Sequence, residues 1–327
     1  MLRAASVGLG WWSDELAKAI QGKSDVIQIV TCYSRSPDKR STFARKFGTD
    51  THDSFEAVLA DPNIDAVLLT TPHSQHASHV AAAAAAGKHV FVEKPLALTS
   101  ASALAAAAAC ERAGLVLAVG HNRRFAEVAG RLARMIGDGA FGTVLHAEAN
   151  FSTPGALAYT PDRWRVSRTE SPGGAIAGLG VHMIDLLAWL LGPVTRVSAL
   201  VTRRAAAVDI DDTTAALFTF ASGATGYLGT LLACPRVNYL NIYGTKANAF
   251  AGVDDETLSL QQLGEKPMAQ NVVPADTLRA ELDEFAAACA GRTKFSVPTA
   301  AAVHAVAVME AMVESAAAGG APIAPRA

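Results

Sequence analysis

Cysteine is scarce: four residues in 327, at 32, 110, 234 and 289, with no Cys-x-x-Cys pair. That leaves no disulfide framework and no thiolate metal site, and reads as reduced, mostly buried thiols in a cytoplasmic protein. Charge is sparse too. Only 18% of residues are Asp, Glu, Lys or Arg and the net charge is −2, which excludes the positive footprint that nucleic acid or an anionic membrane surface requires. Long apolar runs are missing: the alanine stretches 81–86 and 105–109 are broken by Gly87 and Glu111, far short of a bilayer span. The opening residues, MLRAASVGLG, go directly into a strand and turn with no apolar signal core, so neither a secretion signal nor a membrane segment is expected. Repeats of solenoid period and low-complexity linkers are also lacking.

What is present is enough chain for two domains with separate cores. Up to about residue 120, short β-branched runs (AASVG, VIQIVTC, IDAVLLT, HVFVE, LVLAVG) alternate with longer Ala-rich runs of helical period. Such alternation predicts a doubly wound parallel sheet with helical crossovers, an α/β domain over 1–122. From about 141 the rhythm changes to strand after strand (TVLHAEANFS, TRVSALVTR, TTAALFTFAS, ATGYLGTLLA, VNYLNIYG, ANAFAG) with short turns. That predicts an antiparallel or mixed sheet in a second α/β domain over 123–327. Helices are expected near 181–191, 275–290 and 299–317, the last two able to pack back on the first domain.

The turn SVGLGWWS sets Gly8 and Gly10 after the first strand and before a helix, with Trp11 and Trp12 also candidates for cofactor contact. Glycine there permits a tight turn and close approach of a pyrophosphate to the helix N-terminus. The third glycine of a dinucleotide fingerprint is replaced by Ser13. At the end of the second strand, where an acid would grip a ribose hydroxyl, stand Ser34 and Arg35. A hydroxyl and a guanidinium suit a 2′-phosphate and favour NADP over NAD. After the strand IDAVLLT comes TTPHSQHASH, which puts Thr71, Pro72 and His76 at the carboxyl edge of the sheet beside the cofactor. His73, His76 and His79 recur every three residues, a spacing that does not converge on one point on a helix, and no metal site is expected. The tripeptide Glu-Lys-Pro occurs twice. The first copy, Glu93 to Pro95, ends a buried strand at that same edge. The second, at 265–267, sits in the polar stretch QQLGEKPMAQ and reads as a loop.

In this order, VGLGWWS, TTPHSQH, AGKHVFVEKPLA, GHNRRF, RWR and GGAIAGLGVHMIDLLAWLLG resemble the Gfo/Idh/MocA oxidoreductase family. The resemblance covers nearly the whole chain. It implies a Rossmann domain followed by an α/β domain on an open, mainly antiparallel sheet that commonly joins dimers or tetramers. It further implies hydride transfer, without metal, between NAD(P) and a carbinol or carbonyl of a sugar, polyol or related small molecule, with Lys94 at the reacting centre. Oxidising an alcohol also requires a group to take the hydroxyl proton, and His182, near the start of a helix, suits that task. Many relatives carry Asp four residues earlier; this chain has Gly178. Asp185 lies on roughly the face of His182 and is a candidate for substrate. Glu93, Arg123, Trp164 and Arg165 are candidates beside the cofactor, Asn122 is a further one, and Tyr239, with Asn241, faces either the substrate or a subunit interface. Two other functions fit the same motifs: an NAD-dependent glycoside hydrolase using transient oxidation, and a cofactor-binding regulator without turnover.

Overall fold

A computed structural model describes residues 1–326, and the chain divides into two compact units. The first comprises Met1–Ala97, Ala101–Asn122 and Asp276–Ala300; the second comprises Leu98–Ser100, Arg123–Ala275 and the chain from Ala301 onward.

In the first unit, strands β1 (Leu2–Val7), β2 (Ile27–Tyr33), β3 (Asp50–Thr51), β4 (Ala66–Leu69), β5 (His89–Glu93) and β6 (Leu117–Gly120) form one sheet in the order β3-β2-β1-β4-β5-β6. Every pairing is parallel. The short runs AVLL and LAVG are buried at each position, as strands covered by helices on both faces must be. Helices α1 (Trp11–Ile20), α2 (Pro37–Phe47), α3 (Phe55–Ala60), α4 (His76–Ala85) and α5 (Ser100–Arg112) supply the crossovers. Their ends follow local chemistry. The Ser36 side chain caps α2 by accepting from the Lys39 amide, Pro37 fills its first position and left-handed Gly48 ends it. The order reverses between β1 and β4, which makes their carboxyl ends the switch point where dinucleotides bind in such sheets.

The second unit holds α6 (Glu127–Gly137), β7 (Val144–Ser152), α7 (Val181–Leu191) and β8 (Val194–Thr202) through β9 (Thr213–Phe220), β10 (Thr225–Leu231), β11 (Val237–Gly244), β12 (Ala247–Gly252), β13 (Thr257–Gln262) and β14 (Met268–Gln270). Its eight strands lie in the order β14-β13-β12-β11-β7-β10-β9-β8. Only β7 with β10 is parallel; the rest are antiparallel. One face carries the helices, so β7 alternates, with Ala147, Ala149 and Phe151 buried and the residues between them more open. Of the last two helices, α8 (Thr277–Cys289) falls in the first unit and α9 (Thr299–Ala317) runs almost wholly in the second. The 19-residue α9 has the length and apolarity of a membrane span, yet over half of it is buried, with Val308, Met309 and Met312 at or near zero exposure. It is a core helix.

Three strands lie outside those the sequence predicts. β3 is two exposed residues long, and β13 and β14 are polar, edge-proximal pieces. The second Glu-Lys-Pro lies in the exposed turn between them.

Candidate active site

The glycine turn is built so that only glycine fits at its first position. Gly8 has φ +91°, and a Cβ there would stand 2.7 Å from Thr71 Cγ2 and 2.8 Å from the Thr70 backbone. Gly10 is the opposite case: a Cβ would meet nothing within 4 Å, so the space before α1 is open for a ligand. Ser13 replaces the third glycine and closes the turn, accepting from the Gly10 amide (3.0 Å) and donating to its carbonyl (2.7 Å). Thr70 donates to the Gly8 carbonyl and ties β4 to this turn. Trp11 is exposed, and its ring meets that of Trp12 edge-on at 4.9 Å.

At the end of β2, Ser34 is half-buried and Arg35 exposed. Arg40, which the sequence did not single out, donates to the Ser34 carbonyl at 2.8 Å and pairs with Asp53 at 2.9 Å. Its signal was only a second arginine in the first turns of the helix after Ser34. Arg40 thus ties its helix to the end of β2, where Ser34 and Arg35 stand. The open cradle at Gly10 and this donor set fit a dinucleotide: the first-turn amides of α1 would face its pyrophosphate and Ser34, Arg35 and Arg40 its adenosine end.

The histidine run sorts differently from the expectation. His76 is fully buried, its ring nitrogens 2.7 Å from the Pro95 carbonyl and 2.9 Å from the Thr71 carbonyl. It therefore clamps the turn after β5 to the turn after β4 from inside, and does not reach the cofactor as expected. His79 contacts the Thr71 hydroxyl at 3.3 Å and stacks on Phe55; burial, and after it the charge of His76, lowers its pKa. Thr71 itself is 8% exposed, next to Pro72.

Lys94 follows β5 directly and is half-buried, and the Lys94–Pro95 peptide is cis. Glu93 is corrected: its side chain turns inward instead of lining an open edge. It is 6% exposed, and its Oε1 lies 2.8 Å from where a Cβ on Gly120 would stand. Asn122 donates to the Thr277 hydroxyl at 3.0 Å and serves packing within the first unit.

In the second unit, a π-helical turn, Ile176–Gly180, leads into α7, which buries nine of its eleven residues. The glycine pair ahead of it is forced, since a Cβ on Gly174, at φ +58°, would lie 1.8 Å from the Asp211 carbonyl oxygen. His182 is 5% exposed and meets the ring of Phe151 at 5.9 Å. Asp185 is engaged on both oxygens by Arg124, each contact 2.7 Å, in a pair almost fully buried. A carboxylate so held orients α7 and does not offer the substrate ligand first expected. Arg123 pairs with Asp254 at 2.7 Å and lies 4.1 Å from the Phe151 ring, while its Nε is buried with no hydrogen-bond partner among the described residues. Arg236 shares the same Asp254.

Trp164 and Arg165 form a single 3-10 turn with the guanidinium 4.2 Å above the indole. Burial lowers the Arg165 pKa, opposed by Tyr159 and reinforced by Arg163.

Tyr239 is corrected by strand register. It pairs with Asn150, while its neighbour Asn238 pairs with Phe151. Since Phe151 faces His182, Tyr239 points to the opposite, open face, beside Tyr227 and Glu148. Asn241 has the same parity. Asn238, on the His182 side, has both amide atoms buried with no hydrogen-bond partner among the described residues. Sequence reading missed it, because parity was the only signal and its origin was unknown.

Residues 2–121 match the family profile described as oxidoreductase family, NAD-binding Rossmann fold, and residues 130–250 match the GFO/IDH/MocA C-terminal domain. A crystal structure of a protein assigned as an NADPH-dependent oxidoreductase from Desulfitobacterium hafniense superposes with a TM-score of 0.93 at 31% identity, over 99% of this chain and 97% of that one. D-xylose 1-dehydrogenase (NADP(+)) 2 of Haloferax volcanii is 28% identical over 88% of this chain and 89% of its own length. Levoglucosan dehydrogenase of Pseudarthrobacter phenanthrenivorans is 28% identical over 65% of this chain and 62% of its own. For four curated relatives the match spans 50% to 62% of their length. The two profiles, in this order on this fold, place the chain in the Gfo/Idh/MocA oxidoreductase family.

Proposed function

We propose that the protein is an NAD(P)-dependent dehydrogenase or reductase acting on a CH–OH group of a sugar, polyol or related hydroxylated small molecule. The observation that carries this is Lys94, half-buried at the carboxyl end of a strand buried from Val90 to Glu93, in a sheet whose glycine turn leaves room for a dinucleotide. Bound nicotinamide supplies the acceptor or donor of the hydride. In the oxidative direction His182 takes the hydroxyl proton, and Lys94 donates a hydrogen bond to the oxygen as charge develops on it. In reduction His182 returns the proton. Asn238 is a further candidate for the substrate's hydroxyls, and Trp164 and Arg165 for the nicotinamide end. The group at Ser34, Arg35 and Arg40 favours NADP, in line with two relatives whose names carry NADP or NADPH. The open sheet face bearing Leu217, Tyr227 and Tyr239 suits a second copy of the chain, giving a dimer or tetramer that sedimentation would detect. Four free cysteines suit a reducing, cytoplasmic setting.

A screen of sugars and polyols following nicotinamide absorbance with both cofactors tests the reading. With the substrate so found, Lys94→Ala and His182→Asn should each lower kcat by roughly 10²-fold or more while NADP affinity changes little. Lys266→Ala, in the second Glu-Lys-Pro, should leave kcat unchanged. Equal loss in Lys266→Ala and Lys94→Ala, with both folded, would overturn the assignment. Glycoside cleavage without net change in nicotinamide would move the reading to the hydrolase.

A further inference from the structure

Helix α8 belongs to the first unit, where Phe285 stacks on Phe91 of β5 with ring centroids 5.8 Å apart. Phe91 and Glu93 are two residues apart on one strand and leave the same face of the sheet. Glu281 lies one turn before Phe285, on the same face of its helix. Four residues of helix rise about 6 Å and two residues of strand about 6.6 Å. The charge of Glu93 is felt at Glu281, so the two carboxyls are neighbours one step along from the Phe285–Phe91 contact.

Both groups are inside the protein. Glu281 is 0% exposed and Glu93 6%. Neither oxygen of Glu281, nor Oε1 of Glu93, has a donor among the described residues. An ionised carboxylate only accepts hydrogen bonds, so two facing carboxylates satisfy neither, whereas one proton turns one of them into a donor. The surroundings decide which. Glu93 has the Lys94 charge and the nearby Trp12 indole to favour its anion, whereas the charge felt at Glu281 is that of Glu93. Burial pushes Glu93 up to about 7 against those two neighbours. Burial, with the charge of Glu93, holds Glu281 well above the carboxylate range.

We propose that Glu281 is a positioning residue for Lys94: as a neutral carboxylic acid it supplies the donor that Glu93 lacks, and so fixes an anion against Gly120 next to the lysine. The consequence is electrostatic. A half-buried ammonium tends to lose its proton, and a fixed neighbouring carboxylate opposes that loss. The glycine at 120 is part of the seat, because a Cβ there would collide with Glu93 Oε1.

This rests on the proposed role of Lys94, so the test has one arm that needs no substrate. In the full-length protein at neutral pH, infrared difference spectroscopy should show the C=O band of a buried protonated carboxylic acid, lost in Glu281→Gln. Absence of the band, or its survival in Glu281→Gln, overturns the proposal whatever the reaction. In turnover, Glu281→Leu should lower kcat roughly 10-fold with KM little changed and move the lysine-dependent limb of the pH–rate profile to lower pH. Glu281→Gln, which keeps a neutral donor, should stay near the parent enzyme. Gly120→Ala displaces Glu93 without touching Glu281 and should reproduce the Leu phenotype. Unchanged kcat and pH profile in either Glu281→Leu or Gly120→Ala would refute the link to Lys94. Should Lys94→Ala itself retain turnover, the functional reading fails while the infrared result still stands.

Discussion

Position 178, one turn before His182, carries no side chain, and a Cβ there meets no atom within 4 Å. Its backbone lies in the π-helical turn that precedes α7, so an aspartate can be introduced without a clash. A carboxylate that reaches the imidazole favours its charged form. A base that must be unprotonated to act then titrates at higher pH, and Gly178→Asp should move the acidic limb of the oxidative pH–rate profile upward. Profiles of both proteins on one substrate measure it. An unmoved limb, with a structure showing the new Asp bonded to His182, would assign the proton to Lys94 or water. At the other end of the cofactor, Arg35 is exposed at the end of β2. If it holds a 2′-phosphate, NADP binds more tightly than NAD, and Arg35→Ala narrows the gap by about 1–3 kcal/mol. Calorimetric titration with the two dinucleotides decides this, and equal affinities in the parent protein would sink it.

At the scale of elements, α7 is held by a buried ion pair as well as by its leucines. Arg124 meets both oxygens of Asp185 and lies 5.3 Å from the Trp189 ring. Removing one partner strands the other charge in the interior, so Arg124→Leu should cost about 3–5 kcal/mol, read as a lower urea midpoint. Removing both, in Arg124→Met with Asp185→Leu, should recover most of that loss. A double variant as unstable as the single would mean that the pair is favourable beyond its own desolvation. The pair also shows where sequence reading stops. The turn at Gly8, the buried strand running into Lys94 and the helix bearing His182 were legible, because each has a local signature within a few residues. Asp185 was not, since its role depends on a guanidinium 61 residues away. Tyr239 and Asn238 turn on which face of one strand meets α7, and Glu281 on which helix covers β5. Those are tertiary facts that leave no trace in local spacing.

Over the whole molecule, titratable groups pull stability in opposite directions as pH changes. Asp65, held low first by its bond to Arg3, and Asp209, held low by Arg168, contribute stability that is lost only as pH falls through the acid range. His79, His89 and His304 are lowered by burial. The unfolded chain takes up their protons below 6.5, so they make stability rise as pH climbs toward that value. Glu93 and Glu281 do the reverse. Their unfolded pKa is 4.5 and their folded values are raised, Glu93 to about 7. Above 4.5 the folded protein keeps protons that the unfolded chain has released, and stability falls as pH rises. Because the histidines and these acids overlap in one window, the parent curve alone separates nothing. The difference between Glu281→Gln and the parent isolates the buried pair, since glutamine does not titrate and, among the other groups, only its neighbour Glu93 changes with it. Thermal midpoints of the two proteins should coincide at about pH 4 and diverge in favour of the variant as pH rises toward about 8. A constant difference across that range would mean that Glu281 is ionised in the folded state, and the buried pair would then have to find its donor elsewhere.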